Sequence, residues 1–241
     1  MIDFLLSNYS LITKSVELFA FLAGFVMLKK FKHTPVVFFI FFLLYTIVVE
    51  NVGSYMGSVF LEGGILENYT YLKKYPFHKN YWWFGIFWTI GSVLFWSYFY
   101  QKIITNTLYT KVLNVSTYIF ILCVSVYTLF HINAFFNTVL IFNKLLGSII
   151  ILMAIVFYFL DVLQSDNILT FYKSIYFYIS MALFLWWIIT NPPYFYEQIS
   201  VVNNTELRKI LSLIRLFSNI FMYSTFGIAL LLCKSEKPLY Q

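Results

Sequence analysis

Long apolar runs recur along the chain, and short stretches holding most of the charge separate them. A run of roughly 18 or more apolar residues reads as a membrane-spanning helix, because in hydrocarbon a helix satisfies its own backbone groups within one segment. The pattern predicts seven spans, at 11–28, 36–55, 81–100, 112–131, 138–159, 175–190 and 210–233. Asn191-Pro192-Pro193 closes the sixth, since proline brings no backbone donor and drives its predecessor out of the α region. The expected fold is therefore all-α, a polytopic membrane protein built as one seven-helix transmembrane domain over residues 1–241.

Composition agrees with this reading, with 61% hydrophobic and 11% charged residues in 241, which excludes a water-soluble domain. Residues 1–10 carry neither a basic n-region nor a small-residue cleavage site, so the first span is expected to stay in the mature protein. Cys123 and Cys233 fall in different predicted helices and are read as packing residues rather than a disulfide or metal framework.

Charge sets the orientation. Lys29, Lys30, Lys32, Lys102, Lys111, Lys173, Lys234 and Lys237 fall on one side if the spans alternate, and the positive-inside rule makes that side cytoplasmic. On the other side Lys73, Lys74, Lys79, Arg208 and Lys209 are accompanied by Asp3, Glu62, Glu67, Glu197 and Glu206. The N-terminus is then outside and the C-terminus cytoplasmic, in a bacterial inner membrane. Segments 56–80 and 191–207 are the longest external ones, and their aromatic residues, Tyr69, Tyr71, Tyr75, Phe77, Tyr194, Phe195 and Tyr196, either cap the external mouth or form an interfacial belt.

Five ionisable side chains interrupt the apolar runs: Lys14, Glu17, Glu50, Lys144 and Arg215. Counted from the predicted helix ends at about 1.5 Å per residue, Glu17, Glu50, Lys144 and Arg215 all lie roughly 7 to 9 Å deep. A charge in hydrocarbon costs at least about 2.5 to 3.5 kcal/mol on insertion scales, so these residues are expected to face protein or water. Small and polar residues continue the same helical faces: Gly147 and Ser148 after Lys144; Gly53, Ser54 and Gly57 after Glu50; Ser212, Ser218, Asn219 and Tyr223 around Arg215. The expected ligand site is Lys14, Glu17, Glu50, Lys144, Arg215 and Asn219, and the competing reading is that these charges only pair to hold helices in register. The third span shows an uncharged seam instead, Gly85, Thr89, Ser92 and Trp96. His131 ends the fourth span and is read as structural.

Several chemistries have no residues to carry them. The interval 217–230 lacks the mid-helix lysine that a retinal Schiff base requires, and three scattered histidines do not make a catalytic zinc site. No zincin, nucleophile-elbow or phosphate-loop motif occurs. We therefore expect no enzyme activity, no cofactor and no metal. The net charge of +6 is dispersed over short loops, which suits anionic lipid headgroups and not nucleic acid.

Glu50-Asn51-Val52-Gly53-Ser54-Tyr55, Ser97-Tyr98-Phe99-Tyr100, and Ser218-Asn219-Ile220 leading to Leu232-Cys233-Lys234 resemble stretches of uncharacterised seven-span inner-membrane proteins of Bacteroidota. Those relatives often carry an acid in the third helix, where this chain has Thr89-Ile90-Gly91. The resemblance implies a topology and supplies no substrate. The expected function is a receptor or sensor that takes a small polar or anionic ligand in its outer half and acts through a cytoplasmic or membrane protein partner. The alternatives are a small-molecule or ion-coupled transporter and a structural subunit of a membrane complex. The apolar inner stretches 19–28, 36–44 and 175–183 favour a pocket over a through-path.

Overall fold

Helix is the only regular secondary structure among the described residues, and large apolar side chains cover its exposed faces. A computed structural model gives the structure of the protein and describes residues 2–58, 79–165, 170–199 and 205–234. The helices are α1 (Ile2–Ser7), α2 (Tyr9–Val26), α3 (Leu28–Phe31), α4 (Val36–Ser58), α5 (Tyr81–Trp83), α6 (Gly91–Ile103), α7 (Thr107–Phe130), α8 (Ile132–Asn137), α9 (Ile141–Leu163), α10 (Ile175–Ile199) and α11 (Thr205–Leu232). Among the described residues six of them, α2, α4, α7, α9, α10 and α11, are long and apolar enough to cross a membrane. Tyr118, Leu122, Leu129 and Phe130 of α7 are all more than half exposed, a surface that lipid solvates and water does not. The protein is a helical membrane protein.

Three sequence expectations are corrected. The third predicted span is not a regular α-helix, because the chain passes from α5 through a π-helical stretch, Phe84–Ile90, into α6. The fifth does not begin at Thr138, which caps α8 in an extended conformation at φ −145°, so α9 starts at Ile141. The sixth does not stop at the prolines, because α10 runs through Pro192 and Pro193 to Ile199. Proline's φ is a helical value, and its lost hydrogen bonds are tolerated in apolar helices where neighbouring groups compensate. Of the predicted external aromatics, Tyr69, Tyr71, Tyr75 and Phe77 lie outside the described residues, as do Glu62, Glu67, Lys73, Lys74 and Lys237.

Contacts gather the chain into two compact units. The first comprises Met1–Leu44, Lys102–Thr105 and Ile155–Gln241; the second comprises Tyr45–Gln101 and Asn106–Ala154.

In the first unit α11 packs against α2 and α10. Small residues make this possible, as glycines and alanines let apolar helices approach where no solvent squeezes them together. A Cβ on Gly227 would stand 2.4 Å from the Phe19 ring, and one on Gly24 would stand 2.9 Å from Ile40 and 3.3 Å from Leu230. Phe39 meets Phe226 edge-on, with ring centroids 5.0 Å apart. At the start of α11, Lys209 bridges Asp3 at 3.4 Å and Glu206 at 3.3 Å. The Lys102–Thr105 connection is tied to α9 by Asp161, which accepts from the Thr105 amide at 2.8 Å and from its hydroxyl at 3.0 Å.

In the second unit α4 is stapled to the third segment by side chains donating to backbone. Trp83 Nε1 donates to Val49 O at 2.9 Å, Asn80 Nδ2 to Gly53 O at 3.0 Å, and the Tyr45 hydroxyl to Phe87 O inside the π-helical stretch. Gly53 admits the contact, since a Cβ there would lie 2.5 Å from the Phe84 ring and 3.0 Å from Trp83. Gly85 similarly receives the Phe135 ring of α8. The seam expected from sequence is formed in part by Ser92 and Trp96, both buried, and the Ser97 hydroxyl beside them shares a hydrogen bond with the Thr117 hydroxyl at 2.9 Å.

Gly53→Leu is expected to lower the stability of the detergent-solubilised protein by about 2 kcal/mol through overpacking, whereas Ser54→Ala, on the exposed side of α4, stays within about 0.5 kcal/mol of the parent. Thermal melts followed by circular dichroism check both values.

Candidate functional site

The residues expected to form one ligand site divide between the two units. Lys14, Glu17, Arg215 and Asn219 belong to the first; Glu50 and Lys144 belong to the second.

In the first unit α2 and α11 present polar groups on facing surfaces. On α2, Thr13 and Glu17 are one helical turn apart and both buried, Glu17 at 1% exposure, while Lys14 is half-buried. On α11, Ser212, Arg215 and Asn219 follow at intervals of three and four residues, so they share a stripe. Arg215 Nη2 donates to Ser212 Oγ at 3.2 Å. Asn219 is the junction of three helices: its Oδ1 accepts from Trp186 Nε1 of α10 at 2.7 Å, and its Nδ2 donates to the Tyr9 hydroxyl of α2 at 3.5 Å. The 2.7 Å bond is short for a neutral pair, and the 3.5 Å contact is at the limit of a hydrogen bond.

The hydroxyls on this stripe behave differently from the amide. Ser218 donates back to Ile214 O at 2.7 Å, and Thr190 of α10 donates to Trp186 O at 2.7 Å. Their protons are committed to their own helices, and only lone pairs are left for another group. The charged donors of this unit's polar stripe are the Arg215 guanidinium, planar and permanently charged, and the Lys14 ammonium. A guanidinium beside an amide suits a carboxylate or phosphate.

In the second unit Glu50 sits between Val49, whose carbonyl accepts from Trp83, and Gly53, whose carbonyl accepts from Asn80. Lys144 heads a buried pair, Gly147 and Ser148, and Ser148 Oγ donates to Lys144 O at 2.8 Å. Asn143 beside it is buried and donates to Thr128 Oγ1 at 3.0 Å.

The revised helix ends change the depths. Counted within its own helix at 1.5 Å per residue, Glu17 lies about 12 Å from the start of α2, Arg215 about 15 Å from the start of α11, Glu50 about 12 Å from the end of α4, and Lys144 only about 4 to 5 Å from the start of α9. The equal depth expected from sequence was counted from helix starts at Thr138 and Ile210, and the observed starts, Ile141 and Thr205, change that count.

Sequence reasoning missed Trp186, Tyr9 and Asp161. Trp186 and Tyr9 were hidden among the many aromatics, and the signal that identifies them is an amide, Asn219, in an apolar run that needs partners. Asp161 lies two residues past the predicted end of the fifth span, an acid on the side where lysines gather. His131 caps α7, its Nδ1 3.0 Å from Tyr127 O and its ring stacked on Tyr127, a structural role. Among the described residues no group of three or more His, Cys, Asp or Glu stands close enough to hold a metal ion.

Asn219→Leu is expected to cost about 1 kcal/mol, and Trp186→Phe added to it costs little more, because the single changes remove the same bond. A double-mutant cycle on unfolding free energies in detergent reads this coupling.

Compared with known protein families, curated proteins and solved structures, the chain matches none of them.

Proposed function

We propose that this protein is a receptor- or sensor-like membrane protein that holds a small polar or anionic ligand beside Arg215 and Asn219, with Lys14 and Glu17 on the facing helix. The observation that carries this reading is the junction at Asn219, where Trp186 of α10 and Tyr9 of α2 meet one amide on α11. A ligand that draws on that amide changes the bonds of three helices at once, which is what a sensor without a catalytic constellation requires. The conformational change then passes to a cytoplasmic or membrane protein partner, and no chemical step is assigned. Glu50 and Lys144 are proposed to contribute further polar groups, both within the second unit.

A second reading, an ion-coupled carrier, draws on Glu17. A carboxyl group at 1% exposure on a membrane helix is the kind of group that proton and ion relays use.

Thermal-shift measurements with a panel of small carboxylates and phosphates separate the two. A ligand present at about 100 times its Kd stabilises the receptor by about 2.7 kcal/mol, and Arg215→Gln abolishes that shift. Proteoliposomes accumulating the same compound, with the flux lost in Glu17→Gln, would sink the sensor reading in favour of the carrier.

The third segment, from Tyr81 through the π-helical stretch to Ile103, is proposed as the seventh crossing. Seven crossings place the N-terminus outside and the C-terminus, near Lys234, in the cytoplasm. The resemblance to inner-membrane proteins of Bacteroidota favours that membrane. A green fluorescent protein fused to the C-terminus is expected to fluoresce, and alkaline phosphatase fused to the N-terminus to be active. Both reporters giving the cytoplasmic result would mean an even number of crossings.

A further inference from the structure

At the C-terminal end of α11 the first unit opens a groove of about 570 Å³, a volume typical of small-ligand sites. None of the residues around Asn219 takes part in it. Ile228, Ala229 and Leu232 form an apolar wall, and Ile228 and Leu232 are 50% and 77% exposed, so the wall continues into the lipid-facing surface. The opposite side is the short 3-10 turn Phe171–Lys173 that leads into α10. That turn is fixed by the Tyr178 hydroxyl, which donates to Tyr172 O at 2.9 Å.

Among the described residues the polar rim has one sign: Lys173 and Lys234 both line the groove and are exposed, and no described acidic residue lines it. Lys173 Nζ lies 5.5 Å from the centre of the Tyr172 ring, which places the ammonium over the turn. The nearby Lys30 is already occupied, donating to Leu231 O at 3.3 Å, where a cation answers the partial negative charge of a helix C-terminus. Lys173 and Lys234 are not needed for that task. They leave two positive charges at the mouth of an apolar groove.

An occupant that matches this surface is anionic at one end and apolar at the other. Inorganic phosphate satisfies the lysines and leaves the wall uncovered, whereas a zwitterionic lipid covers the wall without net charge for the lysines. We propose that the groove binds one anionic phospholipid, its phosphodiester at Lys173 and Lys234 and its acyl chain along Ile228 and Leu232. Lysines at a membrane surface each contribute attraction for anionic lipid, and the tyrosines supply the amphipathic edge that interfaces favour.

The test uses the full-length protein in nanodiscs of equal phosphatidylglycerol and phosphatidylcholine, extracted into mild detergent and weighed by native mass spectrometry. Phosphatidylglycerol is expected to be retained in preference to phosphatidylcholine. The double variant K173Q/K234Q is expected to lower that preference about five-fold for each lysine lost, and K173R/K234R to restore it. Ile228→Trp, which fills the groove and keeps both lysines, is expected to lower it as well; Leu232→Trp serves if the first variant does not fold.

Equal retention of the two lipids overturns the proposal. So does a groove-filling variant that keeps the full preference, because the lysines then attract lipid only as general surface charge. Displacement of the lipid by millimolar inorganic phosphate assigns the site to a soluble anion and also overturns it. A dimer mass lost in the groove-filling variant, with lipid retention unchanged, assigns the groove to a second copy of the chain.

Discussion

Hydrocarbon offers no hydrogen bonds, and almost every polar arrangement in this protein answers that constraint. An unsatisfied amide or hydroxyl moved from water into an apolar medium costs several kcal/mol, so many such groups are paired inside the chain, Thr13 Oγ1 and Trp187 Nε1 being buried exceptions among the described residues. Thr117, Thr190, Ser218 and Thr225 each return their hydroxyl to the carbonyl four residues earlier, at 2.7 Å in all four cases. Tyr45, Asn80 and Trp83, which have longer reach, donate instead to the backbone of a neighbouring helix. The four hydroxyls thus serve their own helices, while Tyr45, Asn80 and Trp83 join neighbouring segments.

That division clarifies what a polar stripe means. Ser148 and Ser218 lie on the faces where sequence spacing places them, and both are buried. Their hydroxyls nevertheless point along their own helices, so they satisfy themselves and add small volume for close packing. Asn219 has two ends that no intrahelical carbonyl satisfies, and it draws Trp186 and Tyr9 to it. One amide therefore organises a junction that a run of serines does not.

The fold was legible wherever apolar length alone decides the outcome. Five of the spans read from the sequence coincide with long apolar helices to within a few residues, and the sixth begins where expected, at Ile175. Three expectations failed, one of them through a rule learned in water. Pro192 and Pro193 end helices in soluble proteins, yet here the chain continues through them. Thr138 caps a short helix, α8, that lies between the fourth and fifth predicted spans, and apolar counting started the fifth span at that cap. The π-helical stretch at Phe84–Ile90 has no marker in hydropathy, and the side chains that approach Gly53, Gly85 and Gly91 around it, Phe84, Phe135 and Tyr45, are set by tertiary packing. At the candidate site the charged residues and Asn219 were visible as exceptions to an apolar pattern. Their partners were not, since Trp186 and Tyr9 are ordinary residues in a chain that is 23% aromatic.

The bond between Asp161 and Thr105 also bears on the time course of synthesis. The two residues are 56 positions apart, and at about 5 to 20 residues per second the carboxylate emerges roughly 3 to 11 s after the amide it will bind. During that interval the Thr105 amide needs another acceptor, and water is the one available. The connection between α6 and α7 must therefore wait at an aqueous surface while α7 and most of α9 are made. Only then can Asp161 take the place of that water, so the order of synthesis as well as the finished packing bears on this turn.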